Sequence, residues 1–249
     1  YILSQGFWDI SSWQHIVTTV DQYNFGRIYK NGTLDSSGNL SETNMLTRTN
    51  HYIGKSGWSS HGYFDGTMAY FRWWDGTALS ADEVATLYAN RENRISPNLN
   101  FNIDNERALT ISKGKISMPN NVDIESKKPF GNSLFGNYSV TTRVTTPSYA
   151  WDFRNNTGTS DVPDIINGKN AKLYGGAYST YDGMVFDGSD SYIQLDSWET
   201  GGQAFSVEVY VKYDSFNKWS RIFDFGDGDG DDDTDASGGL DNIALSNIF

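Results

Sequence analysis

The sequence predicts an all-β fold that carries one short helix. Three observations support this. The 249 residues include 25 glycines and 15% aromatic residues but only 5 prolines, a mix suited to tight turns between aromatic strands rather than to a disordered linker. Short alternating apolar runs recur between turn residues; the clearest sets Phe205, Val207, Val209 and Val211 against Ser206, Glu208, Tyr210 and Lys212, a half-buried strand. One stretch switches to helical spacing. Ser80 is followed three residues later by Glu83, a capping box, and Val84, Leu87 and Tyr88 then recur before Arg91, a basic residue suited to a helix end. At this length an all-β sandwich commonly forms a single unit.

Composition narrows the partners. With no cysteine the fold has no disulfide, thiolate metal site or thiol nucleophile. Asp and Glu outnumber Lys and Arg by 31 to 19, a formal charge of −12, which disfavours nucleic acid or an anionic membrane and makes cations the more natural ligand. No apolar run approaches the roughly 18 residues of a membrane span. The chain opens at Tyr1 without an initiator Met, so an excerpt or a processed product is expected. Sequons at Asn31, Asn39, Asn137 and Asn155 weakly favour an exposed, glycosylated surface.

In order along the chain, Trp13, His15, Val17 and Thr19 fall on one face of a strand and Ile16, Thr18 and Val20 on the other, so both faces are apolar near its centre. His15 is expected to be satisfied by hydrogen bonds beside Trp13, because no second His or carboxylate stands at a ligand spacing. Asn31-Gly32 after Arg27 to Lys30 is a strong hairpin signal. His51 to Gly54 forms another short strand and Lys55 to Gly62 a loop carrying Trp58. The aromatic run from Tyr63 to Trp74 suits a packed strand, which turns at Asp75-Gly76 into the helix.

Taken together, WQHIVTTVD, RIYKNG, YIGKS and YFDGTMAYFRWW followed by ALSADEVATLY resemble the C-terminal half of a laminin-G-like, concanavalin A-like domain. The resemblance implies an all-β, two-sheet antiparallel jelly-roll sandwich with one short helix, the strand from Phe64 to Trp73 returning beside the first strand. Residues 96–147 are polar and loop-rich and read as a connector with short strands. From 148 to 249 the pattern returns: YAWDF, GMVFDG and SYIQL resemble the opening strands of the same fold, and Arg221 to Gly226 with Asp241 to Ser246 reads as a strand pair. The closing half (1–95) thus precedes the opening half (148–249). The sandwich is then circularly permuted within one chain, completed by a neighbouring chain, or part of an excerpt, because a half sandwich exposes its inner faces and edges. The sharpest expectation is that Phe64-Asp65-Gly66 pairs with Trp151-Asp152-Phe153.

For function, the acidic run holding Asp227, Asp229 and Asp231 has two readings: a loop wrapping a hard cation such as Ca²⁺, or a solvated hairpin loop. It lacks the glycine and glutamate spacing of an EF-hand. The resemblance suggests a second calcium position, Asp65 with Asp152, which could equally be turn-forming Asp-Gly pairs. No glycosidase carboxylate triplet and no Gly-x-Ser-x-Gly turn is present, so no enzyme is expected; a polysaccharide-active hydrolase is the weakest alternative. Trp58, Trp74, Trp198 and Trp219 are candidates for stacking on sugars from exposed loops, while Trp13 and Trp151 are assigned to packing. The expectation is a non-catalytic surface module, glycan-binding or adhesive, located extracellularly or on a cell or virion surface. The alternative is a structural assembly protein of a capsid, fibre or cell wall, contacting neighbouring copies or other structural proteins.

Overall fold

A computed structural model of the chain describes residues 2–3, 6–42, 45–92, 110–112, 115–118, 122–125, 144–154, 161–200, 202–226 and 243–247. The N-terminal part supplies β1 (Trp13–Val20), β2 (Phe25–Lys30), β3 (Thr33–Asn39), β4 (Leu46–Thr47), β5 (Asn50–Ile53), β6 (Asp65–Asp75) and α1 (Ala81–Ala89). Next, β7 (Thr110–Ser112), β8 (Lys115–Met118) and β9 (Val122–Glu125) form an antiparallel three-stranded sheet of their own. Then follow β10 (Tyr149–Asp152), β11 (Asp161–Pro163), β12 (Asn170–Tyr174), β13 (Tyr178–Ser179), β14 (Met184–Asp187), β15 (Tyr192–Leu195), β16 (Glu199–Thr200), β17 (Phe205–Ser215), β18 (Arg221–Gly226) and β19 (Ile243–Ser246).

Two antiparallel sheets face each other as a sandwich. The larger runs β13-β14-β6-β17-β1-β2-β3, with β10 also paired to β6; the smaller runs β11-β12-β15-β5-β18-β19. In the larger sheet β17 lies between β6 and β1, and in the smaller one β5 lies between β15 and β18, so strands from before residue 93 and after residue 143 share both sheets and the sandwich closes within one chain. Alternation along each strand fills the space between the sheets. Phe71, Trp73, Val209 and Ile16 from the larger sheet meet Ile53, Ile193, Phe223 and Phe225 from the smaller one, all essentially buried. Trp73 stacks on Phe205 with ring centroids 4.9 Å apart and planes 6° from parallel. Full burial of one such side chain contributes about 1.5–3 kcal/mol, so this aromatic layer is the main cohesive element.

Local signals act as their chemistry requires. Asn31 and Gly32 both adopt positive φ, 51° and 79°, between β2 and β3, the backbone of a tight hairpin turn whose twist suits the flanking strands. Ser80 caps α1: its side chain accepts from the Glu83 N–H while Glu83 accepts from the Ser80 N–H. Val84 and Leu87 of the helix pack on Val17, Tyr29, Trp74 and Leu79, and this explains why β1 is apolar on both faces.

The register of β6 corrects the sharpest sequence expectation. One edge of β6 is shared by two strands: Asp65 to Met68 pairs with β14, and Tyr70 to Trp73 pairs with β10. Asp152 therefore lies opposite Tyr70, and Asp65 lies opposite Asp187. The strands predicted to pair do so, but displaced by five residues along β6, roughly 17 Å at strand rise. The handover falls at Ala69, where the β6–β17 ladder also bulges and Phe153 N–H donates to the Ala69 carbonyl.

Candidate functional site

The outer face of the larger sheet carries a buried polar network centred on Glu208. On this face Arg72 of β6 lies directly opposite Glu208 of β17, with Tyr70 and His15 at the diagonal positions. Glu208 accepts from Arg72 Nη1 at 2.8 Å and from the Tyr70 hydroxyl at 3.1 Å, and joins His15 Nε2 at 2.8 Å. Burial pushes the Glu208 carboxyl up, but the Arg72 guanidinium and the His15 hydrogen bond outweigh it and hold it below the ordinary glutamate value. The sequence shows Glu208 standing alone among Ser206, Tyr210 and Lys212. Its partners come from strands far away in the chain, and His15 finds there the hydrogen bond expected of it.

Beyond this network, away from α1, the face opens into a pocket of about 170 Å³ lined by Trp13, Ala69, Glu92, Arg154, Tyr181, Asp182 and Tyr210. Its floor is the small side chain of Ala69 at the bulge. Trp13 packs on Tyr210 at 4.8 Å with planes 31° apart. The Tyr210 hydroxyl donates to Glu92 Oε1 at 2.6 Å, and burial together with this carboxylate pushes the phenol up to about 12. Arg154 forks onto Asp152, Nε to Oδ1 at 2.8 Å and Nη2 to Oδ2 at 2.6 Å, and lies over the Tyr70 ring. The opposite wall is the β13–β14 turn, where the Thr180 hydroxyl accepts from the Asp182 and Gly183 N–H groups and so positions Tyr181 and Asp182.

The sequence-predicted residues distribute differently. Trp74 and Trp198 are buried, at 1% and 5% exposure, which corrects their placement on exposed loops. Trp74 donates to the Thr145 carbonyl at 2.6 Å under α1, and Trp198 stacks on His51 at 4.0 Å, so neither offers a ring face to a sugar. Trp58 and Trp219 come together at another edge of the molecule, flanking His61 with centroids 5.9 Å away on each side. There His61 Nδ1 bonds the Ser56 hydroxyl at 3.0 Å, and Ser56 donates to Asp224 Oδ2 at 3.0 Å. Burial raises the Asp224 carboxyl. The order is histidine–serine–acid, whereas nucleophilic catalysis needs the histidine between the other two.

Of the proposed calcium ligands, Asp65 and Asp152 do not converge. Asp152 is engaged by Arg154, and Asp65 accepts from the Ser215 hydroxyl at 2.5 Å; these two residues do not fit a shared metal. Asp227, Asp229 and Asp231 lie outside the described residues. Among the described residues no group of three or more His, Asp or Glu side chains is placed to hold a metal ion. The sequence carries no signal for the pocket residues Glu92, Arg154, Tyr181 and Asp182, and it assigns Trp13 to packing. The available hint was facial: Trp13 with His15, and Tyr210 with Glu208, share the non-core face of their strands.

This architecture defines a lectin-type β-sandwich. Residues 2–85 match the laminin-G-type family model described as the concanavalin A-like lectin/glucanases superfamily. The strands after residue 143 complete the sandwich to which the matched stretch contributes. No curated protein and no solved structure matches the chain. No helix among the described residues is long and apolar enough to cross a membrane. A domain of this kind fits a carbohydrate-binding or adhesive module.

Proposed function

We propose that the protein is a non-catalytic, extracellular glycan-binding module and that the Trp13 pocket is its binding site. One observation supports this above the others: an aromatic pair, Trp13 on Tyr210, stands beside the polar groups of Glu92, Arg154 and Asp182 in a single concavity. Aromatic faces hold the apolar side of a pyranose while carboxylates and guanidinium take its hydroxyls. About 170 Å³ is below the roughly 300–1,000 Å³ of sites for drug-sized ligands. The pocket therefore suits one terminal sugar rather than a long oligosaccharide.

The superfamily includes glucanases, yet the carboxylate on this face is ill suited to that chemistry. A glycosidase acid needs a raised pKa and a second carboxylate across the scissile bond. Glu208 is held ionised by Arg72, and Asp152 is forked by Arg154. On the same reading, the 1–95 and 148–249 segments are the closing and opening halves of one permuted domain, joined by 96–147. Calcium enters through the acidic run at Asp227, Asp229 and Asp231.

A glycan array probed in calcium and in chelator tests the proposal. Wild-type protein is expected to retain a defined set of glycans, and Trp13→Ala to lose them. Retention of every glycan signal by the variant would overturn this placement of the site. Binding to no glycan, with concentration-dependent self-association by light scattering, would favour the assembly reading.

A further inference from the structure

The lining of the Trp13 pocket narrows the ligand beyond a generic sugar. This step rests on the glycan-binding reading above. Among the described residues, three rings, Trp13, Tyr181 and Tyr210, line the pocket with two carboxylates, Glu92 and Asp182, and one cation, Arg154. That cation is already committed. Two of its nitrogens are taken by Asp152, and Nη1 points at the Glu92 carbonyl at 3.4 Å. An anionic sugar, a uronate or a sulfate ester, would meet two carboxylates and a guanidinium whose charge is spent.

The carboxylates are not equivalent. Glu92 accepts from Tyr210 and has Arg91 at 3.7 Å. The Asp182 carboxylate, on the exposed turn, has no ion pair among the described residues. A carboxylate open to solvent beside aromatic faces attracts an ammonium group, because ring quadrupole and formal charge act in the same sense. Trp13 already shows this chemistry from within the chain. Lys212 Nζ lies 6.0 Å from its ring centroid and 3.5 Å from Asp214 Oδ1, an ammonium shared between ring and carboxylate. The chain's formal charge of −12 adds long-range attraction for cations.

We propose that the pocket selects a sugar bearing a free, protonated amino group, a deacetylated amino sugar, over its neutral and anionic counterparts. The ring stacks on the Trp13–Tyr210 pair, and the ammonium sits between Asp182 and Glu92.

Titration calorimetry on the full chain at pH 6 tests this with four tetrasaccharide probes: glucosamine, N-acetylglucosamine, glucose and galacturonate. The glucosamine probe is expected to bind about tenfold more tightly than the neutral pair, with the uronate weakest. Asp182→Asn combined with Glu92→Gln removes the charge while keeping shape and an acceptor for Tyr210, and should bring the glucosamine preference to within about threefold. Trp13→Ala should abolish binding of all four. Equal binding of neutral and amino probes by wild type would overturn the amino-sugar inference and leave the glycan reading standing. A glucosamine preference that survives both variants would also overturn it, since the polycation would then be held elsewhere on the acidic surface. Failure to bind any probe here and any glycan on the array would bring down the glycan reading and this inference with it.

Discussion

Arg72 and Glu208 stand directly opposite each other on β6 and β17 and form a 2.8 Å ion pair, with side-chain exposures of 5% and 0%. A buried pair adds little net stability over an apolar one, but removing one partner strands the other charge. Arg72→Met is therefore expected to cost about 3–5 kcal/mol, measured by denaturant unfolding, and Arg72→Met with Glu208→Leu to recover much of it. A double variant as unstable as the single one would show that the network does more than balance charge.

The same carboxylate has a pH signature. Its folded pKa lies below the unfolded one, so its contribution is present above the unfolded value and is lost as pH falls through the folded value. His51 acts in a higher window. It is fully buried against Trp198 and Phe225, and burial, with help from Arg48 and Lys169, lowers it to about 3 from 6.5. Below pH 6.5 the unfolded chain takes up a proton that the folded chain refuses, so stability falls with pH. The loss by pH 5 is about 2 kcal/mol. His51→Phe should remove that slope between pH 6.5 and 5, whatever its effect at pH 7. An unchanged slope would place the acid sensitivity elsewhere.

What the sequence shows is set by distance along the chain. The Ser80–Glu83 cap, the Asn31-Gly32 turn and the choice of Phe205, Val207, Val209 and Val211 as the core-facing residues of β17 are decided within a few residues, and the structure has each of them. The half-buried reading of β17 is corrected, because Ser206, Glu208 and Tyr210 on its other face are buried too. The register of β6 is different. Only the division of its edge between β10 and β14 decides that Asp65 faces Asp187, and that division depends on packing around the Ala69 bulge. The pocket is harder still, because residues 13, 69, 92, 154, 181, 182 and 210 share a wall only after the sandwich has closed. Trp74 and Trp198 illustrate the converse. A tryptophan beside turn residues looks exposed until the helix over one and His51 against the other are in place.

The pocket wall hangs on a glycine. Gly183 has φ +153°, and a Cβ there would lie 2.3 Å from the Met68 carbonyl oxygen. Neither the conformation nor the contact admits a side chain without moving backbone. Gly183→Ala is expected to displace the turn that carries Tyr181 and Asp182 and to destabilise the fold by about 1–3 kcal/mol. Below the unfolding transition, its glycan affinity should fall while near-ultraviolet circular dichroism of the core stays native. Unchanged affinity would remove the turn from the binding site.

Closure within one chain also makes a prediction about its two halves. In the larger sheet β17 lies between β6 and β1, and in the smaller one β5 lies between β15 and β18, so each half lines its strands with edges that only the other half satisfies. Fragments 1–95 and 144–249 expressed separately should each expose apolar faces and unpaired strands, and neither should give a cooperative unfolding transition. Keeping Thr145 in the second fragment preserves its bonds to Trp74 and Glu83. Co-expressed, the two should form a 1:1 complex by light scattering, with a single unfolding transition. An independently folded 1–95 fragment would mean that the strands matching the family model are self-sufficient. The sandwich would then be two units rather than one permuted domain.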